Sequence, residues 1–300
     1  MLTHSSLKQT VTPRELFNIL GNRFKEGRWA FRGQSEANWT LTPTLERLQL
    51  LEGTSRETVE AKIQYEFQRR AHHYVDNLPE EDDRLEWLAL MQHHGSPTRL
   101  LDWTLSPYVA AFFAAVDPAL EVSDSKPGKK LSSIWAIDLE ALRSEANRRL
   151  KESAWGEIDG TDTPLDIDTP LKKAFRFWVF QHGASGLQPP FIVAVRPLRM
   201  NERLTIQQGI FLCPNNIKMS FVAILDSMLR DASRRGRKPW LYRLMFDTCA
   251  RFDILRELRK MNINYATLFS GLDGFAKSLK TDAETGNLPS SPPSKPAQGG

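Results

Sequence analysis

The chain has 300 residues and a mass of 34.2 kDa, and 41% of its residues are hydrophobic, which is enough to bury one large core or two small ones. With 40 Lys and Arg residues against 36 Asp and Glu residues, the net charge of +4 is too small to indicate nucleic-acid binding by itself. The two cysteines, Cys213 and Cys249, lie far apart without metal-ligand spacing, which excludes a disulfide framework and argues against a zinc site. These features predict a globular protein of a reducing compartment.

The first half of the chain is predicted to be mainly helical around one short strand. Thr12 is a suitable N-cap, and apolar residues recur at helical spacing until Gly27. Helices are predicted over residues 12–27, 57–74 and 83–92, and the short strand over residues 29–31.

Strand-like runs dominate after a further helix that begins at Ser106 and Pro107. Strands are predicted over residues 133–137, 191–195, 209–212 and 241–246, a surface loop over 155–170, and helices over 249–261 and 266–280. The pattern predicts an α+β fold in which helices pack around one mixed or antiparallel sheet.

We expect neither an export signal nor a membrane span from this sequence. The start lacks the basic and then apolar pattern of a signal peptide, and the longest apolar run, residues 108–116, is too short to cross a bilayer. We therefore expect a soluble, cytoplasmic protein with no membrane partner. Residues 281–300 are rich in Pro, Ser and Gly, which predicts a disordered tail after a single domain over residues 1–280.

Polar residues crowd into the connection between the helix over 83–92 and the helix that begins at Ser106. Packing alone would not require this crowding, so the segment indicates a binding or catalytic site. Its expected partner is Arg32, which a short strand presents directly before Gly33. A fixed guanidinium of this kind suits a bidentate anionic ligand such as pyrophosphate.

These motifs resemble the FRG domain family, which is named for a Phe/Tyr-Arg-Gly motif. The resemblance is carried by FRGQ at 31–34, by Trp39 with LTPTL at 41–45, by QHHGSPTRLLDWTLSP at 92–107 and by AAFFAA at 110–115. A weaker third element is Arg203 followed by QQGIF at 207–211. The motif core therefore spans about 25–215.

The order of the motifs is similar to that of ADP-ribosyltransferases, whose split sheet binds NAD in a cleft. This resemblance implies an ADP-ribosyltransferase-like split sheet, NAD as substrate or ligand, and a role in bacterial conflict or phage defence. It implies that Arg32 holds NAD, that Gly33 contacts the nicotinamide amide and that Phe31 or Trp103 stacks on the ring. The candidate substrate-binding residues are Phe31, Gly33, Gln34, Gln92, His93, His94, Thr98, Arg99, Trp103 and Ser106, and the candidate catalytic residues are Arg32, Asp102 and Gln208.

The third motif departs from the pattern of active transferases, because Gln208 stands where they carry a glutamate. An amide can bind a ribose hydroxyl, but it cannot stabilise positive charge as a carboxylate does. Another carboxylate, such as Asp102, Glu202 or Glu36, could serve instead. The remaining alternatives are slow transfer and a domain that only binds a nucleotide.

Each candidate residue also has a structural interpretation. Arg32 could form a buried ion pair with Asp102. The adjacent side chains of His93 and His94 diverge on a helix, which argues against a metal site, and one of them could cap the helix or act as a base. Four tryptophans are expected in the core, and of these only Trp103 is expected to form a wall of the site; the four are Trp39, Trp87, Trp103 and Trp135.

Three functions follow as hypotheses: an NAD-using enzyme, a non-catalytic nucleotide sensor, and a nucleic-acid-associated protein. Only the basic run at 230–238 favours the third. No aromatic residue is interleaved with that run, which argues against nucleic acid as the partner. A nucleotide-type small molecule is therefore the expected partner.

Overall fold

The computed structural model describes residues 6–26, 28–116, 130–152 and 189–288. In these residues a seven-stranded sheet has the order β1-β7-β4-β2-β3-β6-β5. The pair β1 and β7 is parallel and the other neighbours are antiparallel, so the expected α+β class with a mixed sheet is confirmed. The strands are β1 (Ser6–Val11), β2 (Trp29–Gln34), β3 (Leu101–Thr104), β4 (Leu131–Asp138), β5 (Ile192–Val195), β6 (Gly209–Pro214) and β7 (Leu241–Asp247).

Helices cover both faces of this sheet. Those of the described residues are α1 (Pro13–Asn22), α2 (Arg56–Ala71), α3 (Arg84–His93), α4 (Pro107–Val116), α5 (Leu139–Glu152), α6 (Glu202–Ile206), α7 (Phe221–Arg234), α8 (Arg251–Lys260), α9 (Tyr265–Leu268) and α10 (Leu272–Thr285). Short 3-10 turns occupy Thr44–Arg47 and Thr248–Ala250.

The sheet separates two cores, and the alternation of side chains along a strand assigns each residue to one of them. On β4, Trp135 and Ile137 belong to the core under α3, α5 and α7, whereas Ile134 and Ala136 belong to the core under α1, α4 and α8. Both faces are apolar because both are covered by helices. The central strands therefore have continuous apolar runs, which is why the sequence pattern revealed them.

The sheet nearly divides between β2 and β3. These strands share a single ladder pair, Phe31 with Thr104, whereas β2 pairs with β4 along its whole length from Trp29 to Gln34. Beyond Phe31 the two strands diverge. The main-chain groups on the side of β2 that faces β3 therefore form no further ladder with it. A cleft opens at this position, and its walls carry the polar motifs singled out in the sequence.

Several boundaries differ from the sequence prediction. Helix α1 ends at Asn22, before the predicted stop, and β3 lies inside the segment predicted to be a connection. The predicted tail boundary at residue 281 is wrong, because α10 continues to Thr285 and ends at the left-handed Gly286. The predicted loop at 155–170 and residues 289–300 of the predicted tail lie outside the described residues.

Candidate functional site

A cavity of about 340 Å³ occupies the cleft between β2 and β3. Eight residues predicted from the sequence line it: Phe31, Arg32, Gly33, Gln34, Gln92, His93, Asp102 and Trp103. They converge because β2 and β3 are sheet neighbours and α3 ends above them. The polar motif at 31–34 and the polar motif at 92–103 therefore form one site.

Arg32 reaches across the cleft and joins its two walls. Its Nη1 donates to the main-chain carbonyl oxygen of Asp102 at 2.6 Å, which confirms the expected contact between Arg32 and the following motif. Burial lowers the pKa of Arg32; nearby Asp102 raises it and Arg47 lowers it further. An arginine remains protonated despite such a shift. The residue therefore places a positive charge in the cavity, and it forms a hydrogen bond to a carbonyl group in place of the considered ion pair with the Asp102 carboxylate.

Two residues that line this cavity each have a buried donor with no hydrogen-bond partner in the protein, Nε of Arg32 and Nε1 of Trp103. Trp103 is only 3% exposed, so bulk solvent does not reach its indole. A buried donor without a partner costs about 1–3 kcal/mol. Such donors are normally satisfied, so two of them in one cavity indicate a site that is completed by an acceptor-rich ligand.

A chain of side-chain hydrogen bonds fixes the Asp102 carboxylate. Gln92 Nε2 donates to Asp102 Oδ2 at 2.7 Å, and the Thr98 hydroxyl donates to Gln92 Oε1. Because a hydroxyl donates to one end of the amide, the other end must be the NH2 group, which faces the carboxylate. Thr98 is fully buried behind the cavity and is held by Thr44, whose hydroxyl oxygen accepts from the Thr98 main-chain N–H at 3.0 Å.

Three other predicted residues lie away from the cavity. Arg99 is buried in an ion pair with Glu60, which also binds Arg84. Ser106 caps α4, since its hydroxyl accepts from Val109 N at 3.3 Å. His94 lies on the opposite side of the end of α3, in a groove against α2. These residues shape the segment between α3 and α4, and the structure does not bring them together with Arg32 at the cavity.

Arg203 adds positive charge to the cavity, and His93 adds an imidazole. Burial lowers the pKa of His93, and the nearby charges of His94 and Arg203 lower it further. Arg203 is held over the Phe269 ring, with its guanidinium carbon 4.6 Å from the ring centroid. His93 is therefore a neutral imidazole at neutral pH, available as a hydrogen-bond donor or as a base.

The glutamine pair before β6 is oriented differently from the prediction. Gln208 has an exposed side chain and a φ of 49°, and its carbonyl oxygen accepts from Leu105 N at 2.9 Å. The residue that lines the cavity is Gln207, whose Nε2 donates to the carbonyl oxygen of Leu268 at 3.0 Å. The third motif therefore contributes Gln207 to the cavity, one position before the predicted Gln208.

Gly33 is required by packing as well as by the site. A Cβ atom there would overlap the main-chain oxygen of Ala110 and nitrogen of Ala114, so glycine lets α4 approach β2 closely. The φ of Gly33 is not positive, which leaves close approach as the reason for glycine. Trp39 contradicts its predicted place in the core, since it is 45% exposed while lining the cavity.

The sequence did not indicate several residues of the cavity. Phe113, on α4, and Phe211, on β6, add apolar surface, while Asn201, Arg203 and Gln207 are brought there by α6 and the turn that follows it. The only signal for this wall was the weak third motif, which contains Arg203. Its contact with the cavity depends on β6 lying beside β3, and local spacing in the sequence does not reveal that order.

The basic run at 230–238 is partly neutralised. Arg230 pairs with Asp226, Arg234 lies 3.9 Å from Asp231, and Arg235 pairs with Glu145. The run comprises the end of α7 and the loop that follows it.

Within the described ranges, no cluster of three or more His, Cys, Asp and Glu side chains could hold a metal ion. The helices of those ranges are also too short or too polar to cross a membrane.

Comparison with known families identifies the region around the cavity. The FRG domain model matches residues 27–122, which include β2, α3, β3 and α4. The chain contains an FRG domain. No curated protein and no solved structure matches the chain. The matched region contains Arg32, Asp102 and Trp103 of the cavity. Arg203 and Gln207 also line the cavity, although they follow the matched region in the sequence.

Proposed function

We propose that the cavity binds a nucleotide of the NAD class, with a phosphate group on Arg32. The observation that carries this proposal is the pair of buried, unpartnered donors, Arg32 Nε and Trp103 Nε1, in one cationic cavity. A phosphate or pyrophosphate oxygen accepts such hydrogen bonds, and a guanidinium provides both charge and a planar donor pair.

The size and lining of the cavity support part of a dinucleotide as the ligand. A volume of about 340 Å³ lies at the low end of the range for small-molecule sites, so the cavity suits one half of a dinucleotide. Trp39 is exposed at the cavity and Phe113 lies within it, which provides aromatic surface for a base or a nicotinamide ring. The other half would extend beyond the enclosed volume.

A more specific proposal is that the protein has an ADP-ribosyltransferase-like activity, which would depend on Asp102. Of the described residues that line the cavity, Asp102 is the carboxylate, and Gln92 holds one of its oxygens. A fixed carboxylate can stabilise positive charge that develops on a ribose when its bond to nicotinamide breaks. Gln207 would contact the ligand without that charge. A role in bacterial conflict or phage defence belongs to the same proposal and rests on the family resemblance.

Calorimetric titration with NAD tests the binding proposal. Arg32→Ala should weaken NAD binding by about 2 kcal/mol, the typical loss for a charge-assisted hydrogen bond. Arg14→Ala provides the control, because Arg14 is exposed on α1. If the wild-type protein binds no adenine nucleotide at millimolar concentration, the proposal is wrong.

Nicotinamide release then distinguishes an enzyme from a sensor. If the protein is an enzyme, Asp102→Asn should abolish nicotinamide release and change NAD affinity by no more than a few fold. The reason is that the carboxylate would act on positive charge that develops on the ribose only in the transition state. A sensor should bind NAD and release no nicotinamide in either form. Release that continues unchanged in Asp102→Asn would show that another group carries the reaction.

A further inference from the structure

Arg32 is the first member of a row of three side chains across the sheet. Arg32 of β2 pairs in register with Trp135 of β4, and Trp135 pairs in register with Arg243 of β7. Residues in register on neighbouring strands point to the same face, so both arginines flank Trp135 on the face that also carries Ala30 and Leu241. Two strand spacings place the Cα atoms of the arginines about 10 Å apart.

Arg243 shares the unusual features of Arg32. Its Nε is buried without a partner, and neither arginine forms an ion pair with a carboxylate of the described residues. The Arg243 guanidinium carbon lies 4.6 Å from the centroid of the Trp135 ring. Its Nη2 makes a long contact of 3.4 Å to the hydroxyl oxygen of Ser133. The guanidinium is thus held in place by stacking while part of its donor capacity is unused.

The position of Arg243 connects it to the cavity. Ser133, which its guanidinium contacts, pairs in register with Gln34, and Gln34 lines the cavity. Gln34 Oε1 also accepts from Trp135 Nε1 at 2.7 Å, so the indole below Arg243 is fixed by a residue of the cavity wall. Arg243 is thus linked to the cavity wall at Gln34 through Trp135 and Ser133.

From this row we infer that Arg243 forms a second phosphate subsite, and that the ligand is a dinucleotide with an additional phosphate on its adenosine half. Arg32 would bind the pyrophosphate, and Arg243 would bind the additional phosphate. This inference rests on the proposed function, because it extends the same cavity. NADP has this chemistry, and NAD is the matched ligand without the extra phosphate.

Calorimetric titrations with NADP and NAD test the inference. Wild-type protein should bind NADP about tenfold more tightly than NAD, the effect of one charge-assisted contact. Arg243→Gln should reduce NADP affinity to that of NAD and leave NAD affinity unchanged, which also shows that the fold is intact. Arg237→Gln is the control, because Arg237 lies in the basic run beyond α7 and should alter neither affinity.

The outcomes distinguish the two proposals. If NAD binds but NADP binds no more tightly, or if Arg243→Gln retains the wild-type preference, the second subsite is wrong and nucleotide binding stands. If neither nucleotide binds to wild-type protein, the proposed function fails and the subsite fails with it.

Discussion

At the scale of single residues, the cavity offers many hydrogen-bond donors and little negative charge. Arg32, Arg203 and Trp103 contribute donors, and Asp102 is the carboxylate among the described residues of the lining. One carboxylate oxygen of Asp102 already accepts a hydrogen bond from Gln92. An anionic ligand rich in acceptors therefore complements this site better than a cation or an apolar molecule.

The state of His93 predicts how binding depends on pH. Burial first, and then His94 and Arg203, lower the pKa of His93 from its ordinary 6.5, so the imidazole is neutral above that value. An anionic ligand favours the protonated form, so NAD affinity should rise as the pH falls from about 7.5 to about 5.5. Calorimetry at both pH values checks this rise. His93→Gln should remove most of it, and an unchanged pH profile in that variant would show that His93 is not at the ligand.

The prediction of individual site residues was most successful where a motif lies on a strand of the sheet. Arg32 and Gln34 alternate along β2, and Trp103 projects from β3, so their presence in one cavity followed from the motifs. Thr98 and Arg99 belong to the same polar run but are themselves buried, and they bond to Gln92 and Glu60 behind the cavity surface. A polar run does not reveal which of its members point inward, because that direction depends on the path of the backbone.

At the scale of elements, the contact between β2 and α4 places Arg32. Gly33 lies directly against the backbone of α4, and Arg32 projects from the adjacent position to the opposite face of the strand. A change that moves α4 away from β2 would therefore disturb the strand that carries the guanidinium.

Gly33→Ala should destabilise the protein by about 3 kcal/mol or more, because its Cβ would overlap backbone atoms that cannot rotate away. Gly21→Ala is the matched control: a Cβ there lies 3.4 Å from the Tyr108 hydroxyl, an ordinary contact, and alanine favours the helix by about 0.5–1 kcal/mol. Urea denaturation measures both. Equal stability of the two variants would mean that α4 does not pack on β2 as described.

The ion pair of Glu60 with Arg99 ties α2 to the segment that leads into β3. Burial alone would raise the pKa of Glu60, but Arg99 and then Arg84 outweigh burial, and the pKa falls below its ordinary 4.5. A carboxyl group with a lowered pKa contributes stability above its ordinary pKa, and that stability is lost as the pH falls through the lowered value. The stability that Glu60 contributes should therefore be lost in acid.

Glu60→Gln should cost about 3–5 kcal/mol at neutral pH, because it leaves the Arg99 charge buried without its partner. Glu66→Gln on the same helix should cost less than about 1 kcal/mol, since the ion pairs of Glu66 with Arg69 and Arg70 are exposed. Thermal denaturation of both variants provides the comparison. A similar loss in both would assign the effect to α2 rather than to the buried pair.

The elements that the sequence did not predict have identifiable physical reasons. Strand β1, SLKQTV, has few apolar residues, and β3 has only four residues within a polar segment, so neither gives a clear alternation. Helix α10 was predicted too short because its last turn exposes polar residues, although Asp282 and Thr285 face the protein. In each case tertiary contacts, which local pattern does not record, determine the element.

At the scale of the whole molecule, the sheet consists of two parts joined by one ladder pair. Strands β1, β7, β4 and β2 form one part and β3, β6 and β5 form the other, with Phe31 and Thr104 as the pair between them. The sequence pattern predicted five of these strands and missed β1 and β3, and the resemblance implied a split sheet. The order in which the strands lie depends on long-range pairing and was not predicted.

This architecture predicts where a ligand would stabilise the protein. A nucleotide that binds Arg32 on one part and Trp103 on the other would bridge the cleft, and would reduce the local opening that lets backbone amides exchange with solvent. Hydrogen exchange with saturating NAD should therefore slow most in peptides that cover β2 and β3, by about tenfold or more, and little in β7 at the far side of the first part. The Arg32→Ala protein under the same conditions should show no such local change. Slowing spread evenly over all seven strands would indicate general stabilisation by a ligand that binds elsewhere, and the cleft would then not be the site.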